Sequence, residues 1–142
     1  MDARLQARMV FHGAVVILLG LAAGFPFAFI ALERMPGSER AWRMAHMEGL
    51  LYGLLVLAVA AVAPRLRLGT GRAAVLAWSL IVTAYANVVA AALGAALEVR
   101  GLEPGGSAAN TLVYLLFMIA VVAVVVGLSL VAAGSRRGGR AD

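Results

Sequence analysis

Four long apolar stretches take up most of this chain, near residues 10–32, 39–63, 72–97 and 107–133, and a polar tail follows at 134–142. Each exceeds the roughly 20 residues a helix needs to cross a bilayer core. Lipid offers the backbone no hydrogen bonds, so only helices and closed barrels cross it. Runs this long, with no apolar–polar alternation, are not barrel strands. The expected fold is all-α: a four-helix transmembrane bundle forming one integral membrane domain over residues 1–142, with the lipid bilayer as its partner. A chain that is 63% hydrophobic and 13% charged, with mean hydropathy +0.96, is no ordinary soluble domain.

The punctuation between the stretches supports this division. Pro26 predicts a kink in the first span. Ser38 is placed as an N-cap for the second, with Glu39 in the first turn where the helix dipole favours a negative charge. Pro64 stops the second span, and Gly101, Pro104, Gly105 and Gly106 mark the loop before the fourth. Arg4 and Arg8 precede the first run, but that run is too long for a signal peptide and is read as a retained span. The net charge of +5 comes from twelve arginines with no lysine. No nucleic-acid motif accompanies them, so they are read as span-end charges and no nucleic-acid partner is expected. Eight of the twelve lie in the N-terminus, the second loop and the tail. That asymmetry places both termini in the cytoplasm, in a bacterial-type inner membrane. The absence of cysteine excludes thiolate nucleophiles, iron–sulfur clusters and covalent c-type haem.

Against this apolar background the polar residues stand out. His46 lies about 10 Å inside the loop end of the second span and Asn87 about 15 Å inside the third, at 1.5 Å per residue. Tyr52 and Tyr85 lie deeper, and Asn110, Thr111 and Tyr114 begin the fourth span on the same side. A cavity or cofactor site is therefore expected in that half of the bundle. Glu48 is close to His46 in depth but about 200° around the helix, so it faces elsewhere. His12 is read as an interfacial residue about 20 Å or more from His46. His46 itself admits three readings: a neutral imidazole bonded to a neighbouring helix, a proton-transfer group, or an axial metal ligand. Gly49 and Gly53 share its face and offer a flat strip with room for a planar macrocycle. Small residues spaced by four (Gly20 and Gly24; Gly49 and Gly53; Ala86, Ala90 and Gly94) equally suit close helix packing.

Three segments carry a resemblance to a known family: Ala7-Arg8-Met9-Val10-Phe11-His12-Gly13, then Pro36-Gly37-Ser38-Glu39-Arg40-Ala41-Trp42-Arg43-Met44-Ala45-His46, then Tyr85-Ala86-Asn87-Val88. The chain resembles styrene oxide isomerase, a four-span membrane enzyme. The middle segment matches the family's PGS…W…AH stretch with its spacing intact. The resemblance implies a homotrimer binding noncovalent ferric haem b near subunit interfaces, with His46 as the axial iron ligand. It implies Lewis-acid opening of a small apolar epoxide and a Meinwald-type rearrangement to an aldehyde or ketone. Two positions depart from the family: its substrate-side Asn is Tyr52 here, and its Tyr is Ala91. On this reading His46 binds the metal, Gly49 and Gly53 flank the cofactor, and Tyr52 and Asn87 line the catalytic pocket, with Tyr85 and Tyr114 as further candidates. Two alternatives accompany it: a haem protein for redox, gas or haem handling without isomerase activity, and a cofactor-free small transporter or structural subunit.

Overall fold

The structure is a computed structural model and describes residues 1–136. Arg137 and Arg140, which entered the orientation argument, lie outside the described residues. Four helices account for nearly all of it: α1 (Ala3–Ala31), α2 (Glu39–Val62), α3 (Thr70–Ala96) and α4 (Ala108–Arg136). All four are long and apolar enough to cross a membrane, and there are no strands among the described residues.

Local chemistry sets the boundaries. The Asp2 side chain accepts a hydrogen bond from the Leu5 N–H, so α1 starts seven residues before the apolar run does. Arg4 and Arg8 are thereby helical, and Met9 is sealed in the core. Pro26 lies inside α1 without ending it. Ser38 caps α2 through Ala41 N–H at 3.3 Å. Pro64 falls in a short 3-10 turn, Ala63–Arg65, that closes α2.

The two loops at the end remote from the termini begin alike. After α1, Arg34 N–H donates to Phe29 carbonyl and Glu33 N–H to Ile30 carbonyl. This is a Schellman closure, and its left-handed position belongs to Glu33 at φ 57°. After α3, Val99 N–H reaches Gly94 carbonyl and Glu98 holds φ 54°. A side chain in this region costs about 1–2 kcal/mol that glycine avoids, although glycine loses more backbone entropy on folding. Glu33→Gly is therefore expected to stabilise the protein by roughly 0.5–1 kcal/mol, read from denaturant midpoints of the purified protein.

α1 and α2 are antiparallel neighbours along a glycine seam. A Cβ on Gly20 would meet the Gly49 Cα at 2.8 Å, and one on Gly53 would meet the Gly13 carbonyl oxygen at 2.8 Å. The glycine spacing therefore serves close helix packing here. α3 packs against the other three helices and is the most buried. Met9, Val16, Val56, Leu76 and Leu80 fill the main core. The outer faces are apolar too: Phe25 is 67% and Val122 64% exposed. In water that would be costly; in lipid it is the expected outer surface of a bundle.

Candidate functional site

His46 projects from α2 toward α1. Its Nδ1 lies 2.8 Å from the Gly20 carbonyl oxygen. A carbonyl only accepts, so Nδ1 carries the proton and the neutral ring's lone pair sits on Nε2. Metal-binding histidines are commonly held this way, with the second nitrogen donating to a backbone carbonyl. Two features of α1 create the seat. Gly24 has no side chain, and a Cβ there would come within 3.0 Å of Nδ1. One turn further, the Phe27 ring stacks on the imidazole at 6.3 Å between centroids and 19° between planes. The periodicity of α2 carries no signal for Gly20, Gly24 and Phe27 as imidazole contacts, because they lie on a different helix from His46.

The strip beside the imidazole differs from the expectation. Gly49 faces Gly20, and Gly53 faces Ile17 and the Gly13 carbonyl. α1 fills the flat surface these glycines offer, so it is not open to a planar group. Small-residue spacing signals close approach but does not say what approaches.

Tyr52 and Asn87 come together, but not beside His46. The Tyr52 phenol pairs with the Asn87 amide, and the Glu48 charge acts on it. Asn87 is 6% exposed, and its Nδ2 donates to the Thr83 carbonyl at 3.2 Å. Thr83 in turn donates to Ser79 carbonyl at 2.8 Å and reaches Ala120 carbonyl on α4 at 3.4 Å. Glu48 and Tyr52, four residues apart, share one flank of α2; His46 occupies the other.

Tyr85 belongs elsewhere. Its hydroxyl lies 3.0 Å from His12 Nδ1, and Phe11 and Trp78 pack on the same imidazole. α1 starts early enough to put His12 more than two turns inside the helix. Gly20, the partner of His46, is eight residues on from His12, about 12 Å along the axis. His46 also packs against Gly24, twelve residues on from His12, so the two histidines are too far apart to share one ion. No group of three or more His, Cys, Asp or Glu among the described residues is arranged to hold a metal.

A half-open cleft of about 730 Å³ lies between α2, α3 and α4 at the loop end. Ala90, Ala91, Gly94, Met44 and Phe117 form its apolar walls, and Arg40, Glu98 and Arg100 lie at its mouth. Ala91 leaves space where the resemblance would place a tyrosine. Asn110 holds the adjoining loop in place: its Oδ1 accepts from Gly101 N–H at 2.9 Å, and its Nδ2 donates to the carbonyls of Glu103 and Gly105. That role is structural, not one of lining the pocket. The Tyr114 backbone nitrogen lies beside Gly101 at the same loop.

Four membrane-type helices, a part-buried histidine with one nitrogen held by a backbone carbonyl and a half-open apolar cleft describe a small multi-pass membrane protein. The sequence model of the styrene oxide isomerase family matches residues 5–136, and the chain belongs to that family. The chain is also 38% identical over 93 residues to the hydroxylaminobenzene mutase HabB of Ectopseudomonas oleovorans, covering 65% of this chain and 52% of the mutase. It thus spans about half the length of that curated relative.

Proposed function

We propose that this protein is a haem b-dependent membrane isomerase that opens a small apolar epoxide and rearranges it to an aldehyde or ketone. The observation that carries the reading is the His46 seat. Nδ1–H given to Gly20 carbonyl at 2.8 Å fixes the ring and makes Nε2 a better donor to a metal. The donor chemistry fits one imidazole nitrogen holding haem iron. The group would be held through Nε2, and not over the Gly49–Gly53 strip, which α1 occupies. When bound, ferric haem supplies a Lewis acid for an oxygen that develops negative charge.

The chain's own residues have separate tasks. His46 holds the group and Gly20 sets its tautomer. The Asn87 amide and Tyr52 phenol offer hydrogen bonds that orient a polar atom of the substrate. The apolar walls at Ala90, Ala91 and Phe117 exclude water, which would otherwise add to an opening epoxide. His46 and the Tyr52–Asn87 pair lie on opposite flanks of α2. A homotrimer reconciles the two, because a closed ring brings one flank of each copy against the other flank of the next. The arginine asymmetry favours cytoplasmic termini in a bacterial-type inner membrane.

The mutase relative favours a second reading, in which the rearranged substrate is an arylhydroxylamine. Protein expressed with haem supplied and purified in mild detergent tests both. A Soret band and conversion of epoxides to carbonyl compounds are expected. Turnover of arylhydroxylamines alone selects the second reading. A Soret band without turnover on either panel leaves a non-isomerising haem protein. A colourless preparation leaves a cofactor-free transporter or structural subunit, and sinks the haem mechanism.

A further inference from the structure

The Glu48 carboxylate has no role in the reading above, yet one of its oxygens is stranded. Oε2 is buried without a hydrogen-bond partner. A buried acceptor left unpaired costs about 1–3 kcal/mol, and more if charged. Such a group in a native bundle calls for an explanation, and inside a membrane it marks function by default.

Its position supplies the explanation. Ala41 and Met44 line the cleft from α2 and precede Glu48 by seven and four residues. Ala90, Ala91 and Gly94 line it from α3 and follow Asn87 by three, four and seven. Residues at these spacings share a helix face. Glu48, Tyr52 and Asn87 therefore continue the two walls about one turn beyond the cleft, where the phenol pairs with the amide and the carboxylate is the neighbouring charge. Tyr52 and Asn87 both carry donor hydrogens. An acceptor-only ligand, such as an ether or an epoxide, would be served by those two and would leave Glu48 stranded. A ligand with its own N–H or O–H would satisfy all three.

We propose that Glu48 is the specificity-determining residue of this cleft and selects small aromatic or apolar ligands that carry a hydrogen-bond donor. The proposal rests on the reading of Tyr52 and Asn87 as pocket residues, but not on haem or on turnover. Within that reading it shifts the preferred substrate from a bare epoxide toward a donor-bearing molecule.

Aniline and toluene are the probes, since they match in size and only aniline has N–H groups. With the protein in lipid nanodiscs, aniline is expected to shift the carboxylate stretching bands of Glu48 in infrared difference spectra, and toluene to leave them unmoved. Glu48→Gln should remove those bands. Glu48→Leu should weaken aniline binding about tenfold or more while leaving toluene binding unchanged, as expected for loss of a hydrogen bond to a charged group. Leucine suits this half-buried helical position, and an unchanged melting temperature would show that the fold survives. Equal binding of both probes by the native protein, or an aniline response that persists in Glu48→Leu, assigns the oxygen to trapped water and overturns the proposal. Scoring epoxide turnover on the same proteins separates the two claims. Turnover with no aniline selectivity sinks only the proposal about Glu48, whereas selectivity without turnover sinks only the isomerase reading.

Discussion

His46→Gly is expected to purify without a Soret band and to recover one when free imidazole is supplied. Truncation to glycine removes the side chain that would ligate iron in the proposed function, and it leaves a cavity the size of the ring beside Gly24 and Phe27. A free imidazole in that space can repeat both contacts, with one nitrogen donating to Gly20 carbonyl and the other facing outward. The native bond at 2.8 Å is the reason to expect recovery and not merely loss. A hydrogen bond of this kind contributes about 0.5–1.5 kcal/mol, roughly a two- to tenfold gain in affinity for the imidazole held there. Rescue also separates ligation from folding: a collapsed bundle would not respond to imidazole. A full Soret band in His46→Gly without imidazole would place the iron elsewhere and remove the central residue of the proposed function.

Helix number and order were legible because hydrophobic length is a strong signal in a membrane chain: few sequences other than spans run apolar for more than 20 residues. The position of His46 within α2 was legible for the same reason. Three features were not. The start of α1 was set by Asp2 capping at Leu5, a local hydrogen bond that hydropathy does not register. The neighbours of His46 depend on how α1 docks, and one helix's periodicity carries no information about the face its partner presents. The glycines illustrate the same gap: Gly49 and Gly53 could flank a cofactor or a helix, and only the docked α1 decides between them. Glu48 was placed correctly as facing away from His46, but its isolation was invisible until Tyr52 and Asn87 were seen on the same side.

The glycine seam supports the second large prediction, in which fold and site fail together. Gly49→Ala is expected to destabilise the protein by about 2–3 kcal/mol, in the range of overpacking in a dense core. Alanine is favoured over glycine in a helix interior by about 1 kcal/mol, so the steric cost must exceed that gain. It should do so here, because the new methyl meets the Gly20 backbone and the Val16 carbonyl oxygen, and not a side chain that can rotate away. The helices must separate, and the Gly20 carbonyl moves with α1. His46 then loses the acceptor that fixes its tautomer, so the Soret band should broaden or shift even in protein that remains folded. Gly71→Ala is the control: it lies in the first turn of α3, with nothing within 4 Å of the added methyl. Helix propensity alone acts at that site, so Gly71→Ala should be neutral or more stable by up to about 1 kcal/mol. Denaturant titration of both variants beside the native protein reads the comparison. Opposite signs are expected, and a Gly49→Ala protein as stable as Gly71→Ala would show that α1 and α2 do not meet along this seam.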